Sequence, residues 1–309
     1  MTDSVIPAFD IMALQLNQQD LPVASLYVVA TPIGNMGDIT FRAAHVLKNV
    51  DGIACEDTRH TAPLLKHLGI NKPLLALHEH NEREASNKVV EHLKAGQRWA
   101  YVSDAGTPGI SDPGALLAQA CIDNGLRVLP IPGASAVSAI ASVAGHALSM
   151  TDGHFQFVGF FPVKTKDQTS FIANIEQARC GTIFYESPHR IEDTLKTIET
   201  SSIARERQMV IGRELTKKFE TIDHLTVGEI TAWLSKQDGF RGEFAILIAG
   251  VSPKDRQNAE GSFEINKLIK ELSIHLGSKQ IAEVVSSVSN ISKKDAYQLA
   301  LDIKKPASD

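Results

Sequence analysis

From Leu26 onward, short apolar runs alternate with segments whose apolar residues recur every three or four positions. Leu26–Ala30 is a continuous apolar run and predicts a buried strand. Asp38 is placed to cap a helix that carries Ile39, Ala43, Val46, Leu47 and Val50 on one face. Gly52–Cys55 predicts a second strand, Thr61–Leu68 a helix stopped by Gly69, Leu74–Leu77 a third strand, and Glu82–Lys94 a helix ended by Gly96. Trp99–Val102 predicts a fourth strand, Ala115–Ile122 a helix running out near Asn124-Gly125, Leu126–Ile131 a fifth strand and Ser135–Val143 an Ala-rich helix. Strands alternating with helices predict a parallel sheet covered on both faces.

Met150–Gly153 is a candidate junction, after which a second α/β set begins. Phe155–Phe160, Thr182–Tyr185, Met209–Gly212, Phe219–Ile222 and Phe244–Ile248 predict strands, with helices over Ile191–Ile198 and Val227–Leu234. Two successive apolar runs with no long helix between them predict a mixed sheet. Ser252–Gly261, polar and containing Pro253, predicts a linker. Three short amphipathic helices follow, over about Glu264–His275, Lys279–Ser286 and Lys293–Ile303. The expected organisation is a flexible tail over 1–22, an N-terminal α/β domain over 23–150, a C-terminal α/β domain over 151–251, and a small helical extension over 262–309.

Length and composition narrow the class. At 309 residues, with 43% hydrophobic and 22% charged residues, the chain suits a two-domain globular protein. It has no apolar run of bilayer-spanning length, so no membrane partner is expected. Asp3 and Asp10 interrupt the pattern a secretory leader needs. Cys55, Cys121 and Cys180 are widely spaced, which fits core thiols in a reducing cytoplasm better than a zinc site or a disulfide framework. The net charge of −5 lends no support to global attraction for nucleic acid, so a polyanion would need a local basic patch.

The most informative segment is Ser103–Gly114, a Gly- and Pro-rich loop between the fourth strand and the next helix. In an open α/β sheet, loops at the carboxyl ends of strands hold small ligands. Three other segments end at the same predicted edge: Thr31–Asn35, Glu56–His60 and His78–Glu82. Together they gather carboxylate, imidazole, amide and guanidinium groups along one cleft. Pro130–Ser135 adds small residues at a helix start, where a ligand can approach the backbone. A Gly-x-Gly-x-x-Gly fingerprint, a phosphate-binding P-loop and His-Glu-x-x-His are all missing. His78-Glu79-His80 lacks a partner at zinc spacing, and no metal is expected.

In combination and order these segments resemble the bacterial 16S ribosomal RNA 2'-O-ribose cytidine methyltransferases of the tetrapyrrole methylase superfamily. The resemblance rests on Tyr27–Thr40, Cys55–Arg59, Ser103–Gly114, Pro132–Ser135, Phe184–Arg190, Gly212–Lys217 and Arg241–Phe244, and spans about residues 25 to 250. The last three helices resemble that family's helix-turn-helix-like tail. The resemblance implies a two-domain class III methyltransferase fold, S-adenosyl-L-methionine between the domains, a homodimer, and 16S ribosomal RNA as substrate, in the small subunit. It carries cofactor contacts onto Ile33, Gly106, Thr107, Ile110, Ser135, Ala136, Glu186, Glu214 and Gly242. Tetrapyrrole-methylating relatives carry Gly-Asp-Pro where this chain has Gly106-Thr107-Pro108, a departure that favours the RNA enzyme.

Methylation of a ribose hydroxyl needs alignment and a proton acceptor. Glu56, Asp57 and His78 are the candidates, with the choice among them open. Asn35, Arg59, Asn81 and Arg190 are candidate substrate contacts, although Arg59 and Arg190 could instead pair with neighbouring carboxylates. A tetrapyrrole methyltransferase of the same fold and a catalytically silent RNA-binding assembly factor are the alternatives. The first predicts a wide cleft with no need of the terminal helices.

Overall fold

The fold follows from how the apolar runs are covered. In a computed structural model that describes residues 15–16, 18–251, 265, 267–289 and 291–304, the first five runs become β1 (Ser25–Val29), β2 (Gly52–Cys55), β3 (Leu74–Ala76), β4 (Arg98–Val102) and β5 (Arg127–Ile131). They form one parallel sheet in the order β3-β2-β4-β1-β5. Successive side chains point to opposite faces. Tyr27 and Val29 therefore pack with Val46, Leu47 and Ile53, while Leu26 packs with Leu77, Leu93 and Trp99 on the other face. The covering helices are α1 (Phe41–Asn49), α2 (Thr58–His67), α3 (Glu82–Lys94) and α4 (Ala115–Asp123).

The second sheet is mixed. β6 (Phe155–Phe160), β7 (Gly181–Glu186), β8 (Gln208–Arg213), β9 (Thr221–Thr226) and β10 (Phe244–Ile248) run in the order β6-β7-β10-β8-β9. β6 and β7 are parallel, and the other pairs are antiparallel. One face packs on α7 (Thr165–Gln177), α8 (Ile191–Glu199) and α9 (Ile230–Leu234). The other face is covered by α5 (Ala136–Ser142) and α6 (His146–Ser149), whose Val137, Ile140, Ala147 and Leu148 pack with Ile183, Val210, Ala245 and Leu247. Helices that follow the first sheet thus build the core of the second.

The described residues fall into two compact units, one ending at Gly250 and the other beginning at Val251. The second unit contains a helical stretch at 267–272, then α10 (Ser278–Val288) and α11 (Lys293–Lys304). Ile269, Ile281, Ala282, Val285, Ala296 and Ala300 form its core. The linker expected at Ser252–Gly261, residue 264 of the next helix, and residues 1–14 and 17 of the expected tail lie outside the described residues. Among the described residues no helix is long and apolar enough to cross a membrane.

Several local expectations need correction. The cap of α1 is Thr40, whose hydroxyl accepts from the Ala43 amide; Asp38 belongs to a preceding 3-10 turn. α2 begins at Thr58, because the Asp57 carboxylate accepts from the Arg59 amide and starts the helix one turn early. α7 was not anticipated, since only its buried face, with Ile172 and Ile175, is regularly apolar. The strand expected at Phe219–Ile222 runs instead from Thr221 to Thr226, leaving Phe219 exposed in the turn before it.

Glu82 is buried and lies apart from the cleft chemistry expected of it. Its carboxylate accepts from the Gly114 amide at 2.8 Å and the Leu116 amide at 3.1 Å, so α3 supplies the anion that caps the N-terminus of α4. Glu82→Ala leaves both amides unpaired and is expected to cost on the order of 2–3 kcal/mol. Urea unfolding checks this, and a loss below about 0.5 kcal/mol, the size of an ordinary surface change, would show that the cap is not holding the loop.

Candidate active site

The carboxyl ends of β1, β4 and β5 meet the carboxyl end of β7 and the start of β10 around a cavity of about 410 Å³. That volume is ordinary for a small-molecule site. Two backbone hydrogen bonds fix its floor: the Thr31 amide donates to the Gly106 carbonyl at 2.8 Å, and the Gly106 amide returns to Thr31 at 3.1 Å. Gly106 sits at φ +81°, and a Cβ there would stand 3.1 Å from Ile33 Cγ2, so the loop backbone itself forms the wall. The Thr107 hydroxyl donates to the Ala134 carbonyl at 3.0 Å and ties the loop to the end of β5.

Seven of the nine expected cofactor positions line this cavity: Ile33, Gly106, Thr107, Ile110, Ser135, Ala136 and Glu186. Glu186 does not offer its carboxylate to the cavity. Its side chain is fully buried, paired with Arg190 at 2.6 Å and hydrogen-bonded by the Thr194 hydroxyl at 2.7 Å. Glu214 and Gly242 stand one residue behind the lining residues Leu215 and Glu243. The Glu214 carboxylate accepts from Lys217 Nζ at 2.8 Å and from the Glu243 amide at 3.0 Å. Burial works against its charge, but those hydrogen bonds outweigh burial and hold its carboxyl below the usual range. Glu214 and Thr216 both adopt positive φ, so this turn holds its shape against local strain.

The expected acid–base and substrate residues lie outside the cavity lining. Asp57 is spent on Arg59: Nη2 approaches at 2.6 Å and the backbone amide at 2.8 Å. These bonds bring its carboxyl down to about 2, which makes it a poor proton acceptor and corrects that expectation. His78 is exposed, edge-on to His80 at 6.1 Å. Glu56 is half-buried. Burial and the Asp104 charge raise its carboxyl, and the Asp104 amide approaches its Oε2 at 3.5 Å. Asn35 is exposed and caps the 3-10 turn that precedes α1.

Asn81 and Arg190 prove structural. The Asn81 amide accepts from the His78 backbone and donates to the Ala76 carbonyl, which closes the turn between β3 and α3. Arg190 donates to Glu186 and to the Phe161 carbonyl, so its charge is neutralised internally. Arg59 remains the most exposed of the expected contacts.

Sequence reasoning missed Asp112, Phe160, Tyr185, Leu215, Glu243 and Phe244, all of which line the cavity. Asp112 lay within the loop singled out from the sequence, but its burial depends on the second sheet. His60 was also missed as a functional partner. It is an exposed imidazole on α2, with Nδ1 2.8 Å from the Asp104 carboxylate, whose other oxygen accepts from the Asp57 amide.

A family model described as Tetrapyrrole (Corrin/Porphyrin) Methylases matches residues 25–231. The chain is 42% identical over 277 residues to ribosomal RNA small subunit methyltransferase I of Haemophilus influenzae, a match covering 89% of this chain and 96% of that protein. It is 41% identical over 293 residues to the protein of the same name from Neisseria meningitidis serogroup B, covering 94% and 98%. Among solved structures it is similar to the methyltransferase CobJ, with a TM-score of 0.55 and 18% identity over 73% of this chain and 94% of that one. The cobalamin biosynthetic enzyme cobalt precorrin-4 methyltransferase gives 0.53 and 17% over 73% and 95%. At such identities the likeness is one of fold.

The hydrogen bond to Asp104, and then its charge, raise the His60 imidazole above its ordinary 6.5. Because the folded value is the higher one, the pair's contribution to stability is complete below the unfolded value and is lost as pH rises through the folded value. The ring protons of His60 are therefore expected to titrate above 6.5 by NMR, and Asp104→Asn is expected to bring the midpoint down. Equal midpoints in the two proteins would disprove the pairing.

Proposed function

The chain belongs to the tetrapyrrole (corrin/porphyrin) methylase family, among the ribosomal RNA small subunit methyltransferase I proteins, and we propose that it transfers a methyl group from S-adenosyl-L-methionine to the 2'-hydroxyl of a cytidine in 16S ribosomal RNA. The observation that carries this reading is the near full-length identity to those RNA methyltransferases, joined to a cavity built from the segments that bear the resemblance.

The cavity suits the cofactor in shape and charge. Ile33, Ile110, Ala136, Leu215 and Phe244 give apolar walls for a flat ring, and Thr107 and Ser135 give polar edges. Neither lysine nor arginine lines the cavity, while the carboxylates of Asp112 and Glu243 belong to its lining, as a sulfonium cation requires. Ile33, Gly106, Thr107, Ile110, Ser135 and Ala136 would hold the cofactor directly. Glu186, Glu214 and Gly242 act from behind, by fixing the walls. When bound, S-adenosyl-L-methionine supplies an electrophilic methyl carbon on a positively charged sulfur.

The chain's own task is then to exclude water, to align the ribose hydroxyl and to receive its proton. Asn35 and Arg59, exposed at the strand-end edge, are the proposed RNA contacts, with Arg59 directed to a phosphate. Residues 262–309 form the proposed RNA-binding extension, and Lys267, Lys270, Lys279, Lys293 and Lys294 are exposed on it. The small ribosomal subunit is the proposed form of the substrate. The protein is proposed to act as a cytoplasmic homodimer. Free thiols at Cys55, Cys121 and Cys180 support the compartment. Exposed Phe155, Val158, Phe160 and Val163, on and just after the edge strand β6, support a second copy.

The test is methyl transfer from labelled cofactor to small subunits that lack the modification, followed by nucleotide mapping. Label on one cytidine ribose is expected; label on the base, or on a porphyrin instead of RNA, would overturn the reading. Gly106→Val puts a branched side chain at positive φ against Ile33. It is expected to weaken cofactor affinity by at least about tenfold in calorimetry, or about 1.4 kcal/mol. A folded variant with unchanged affinity would remove the loop from the site.

A further inference from the structure

Three carboxylates belong to the cavity lining, and their partners separate them. Glu186 is committed to Arg190 and Thr194. Glu243 points largely to solvent and pairs with Lys217 at 2.9 Å. Asp112 has no ion-pair partner among the described residues, is partly buried, and takes a hydrogen bond from the Ser103 hydroxyl. Its backbone is held on both sides. Ser111 adopts φ +64° and its Oγ lies 3.6 Å from the Cβ position of Gly159 in β6, while the Pro113 carbonyl accepts the Tyr101 hydroxyl at 2.8 Å. A short carboxylate is thus fixed at the cavity wall, between the loop and the second sheet.

Resting on the function proposed above, we propose that Asp112 is the catalytic proton acceptor: its carboxylate removes the proton of the ribose 2'-hydroxyl as that oxygen bonds to the methyl carbon. The carbon–sulfur electron pair leaves with sulfur, which becomes a neutral thioether, and the carboxylate becomes a neutral acid. The groups facing Asp112 tune it for this. Burial raises its carboxyl to about 6, against the Ser103 hydrogen bond, and the charges of Glu56 and Asp104 add to the rise. Tyr101 on β4 and Tyr185 on β7 feel the Asp112 charge in turn, and both phenols are raised chiefly by burial, so they stay neutral near pH 7. A base with its midpoint just below working pH is mostly ionised yet still basic. Glu56, expected from sequence to be the base, becomes a positioning residue that acts through Asp112.

Three measurements on the full chain test this. In single-turnover transfer to unmodified small subunits, Asp112→Asn is expected to be slower by about 10²–10⁴-fold. Its calorimetric affinity for S-adenosyl-L-methionine is expected to stay within about threefold, well under one tenfold step of 1.4 kcal/mol. The wild-type rate is expected to rise with pH to a plateau, with its inflection near the Asp112 value, and Glu56→Gln is expected to move that inflection lower. Carbon-13 NMR of the Asp112 carboxyl, assigned with the Asn variant, is expected to give the same midpoint without turnover. Thermal melts establish that each variant is folded, and the wild-type titration keeps the test open if one is not. An unslowed Asn variant overturns the proposal. Equal loss of affinity and rate makes Asp112 a cofactor ligand, and a carboxyl midpoint near 4 denies it the tuning; either outcome overturns the proposal as well. A wild-type protein that methylates no RNA removes the underlying function, and this inference with it.

Discussion

Everything at the site depends on the fixed path of the Ser103–Gly114 loop. One end is tied by the reciprocal Thr31–Gly106 bonds and by Thr107 to Ala134. The other is tied by Tyr101 to Pro113 and by Glu82 to the Gly114 and Leu116 amides. Each such bond contributes about 1 kcal/mol net, more for those to the Glu82 charge. Ordering a residue costs about 1–2 kcal/mol of backbone entropy. The bonds alone therefore do not hold the loop. Pro108 and Pro113 lower the entropy to be lost, and Ile33 and Ile110 pack onto the apolar cluster built from α5, α6 and the second sheet. Gly114, at φ +118° with no room for a Cβ against the Tyr101 ring, shows how closely the path is constrained.

The same packing explains why the cavity is preformed. α5 and α6 follow the last strand of the first sheet in sequence, yet their apolar faces complete the core of the second. The two sheets share side chains such as Ile140 and Leu148, both buried, so a change in their spacing would open voids in a close-packed interior. Binding a cofactor in such a cleft costs little ordering of the protein, and more of the contact energy remains as affinity.

Periodicity carried most of the fold into view, because burial on both faces leaves continuous apolar runs such as Ile53–Cys55 and Ala100–Val102. It failed where the burial is one-sided and sparse, as in α7, and where two residues compete for a cap, as Asp38 and Thr40 do. The site was legible wherever the backbone makes it: Gly106, Thr107 and the start of α5 declare themselves by small size and by position at strand ends. Side-chain assignments were less legible. Asn81, Glu82, Arg190 and Asp57 have the chemistry of a cleft, but each spends its polar atoms on partners that only the folded chain brings near. Asp112 is the converse: an unremarked loop residue whose character comes from the β6 edge and from Glu56 and Asp104 around it.

Structures at 17–18% identity share this fold while their names assign them to other methyl acceptors. What the fold conserves is therefore a way to hold a small ligand at the strand ends, and the acceptor has to be chosen outside that cavity. For an RNA acceptor the choice has an electrostatic cost. The chain carries a net charge of −5, and Glu56, Asp104 and Asp112 concentrate negative charge beside the cavity. A polyanion approaching that region is repelled unless cations intervene, and the repulsion has a range of about 8–10 Å in physiological salt. Arg59 stands at this edge with its side chain 87% exposed, although Asp57 takes part of its charge. The local field that keeps Asp112 basic is thus the field that RNA must cross. Such a site admits a backbone only where phosphates meet fixed cations, which makes register, rather than attraction, the source of selectivity for one ribose.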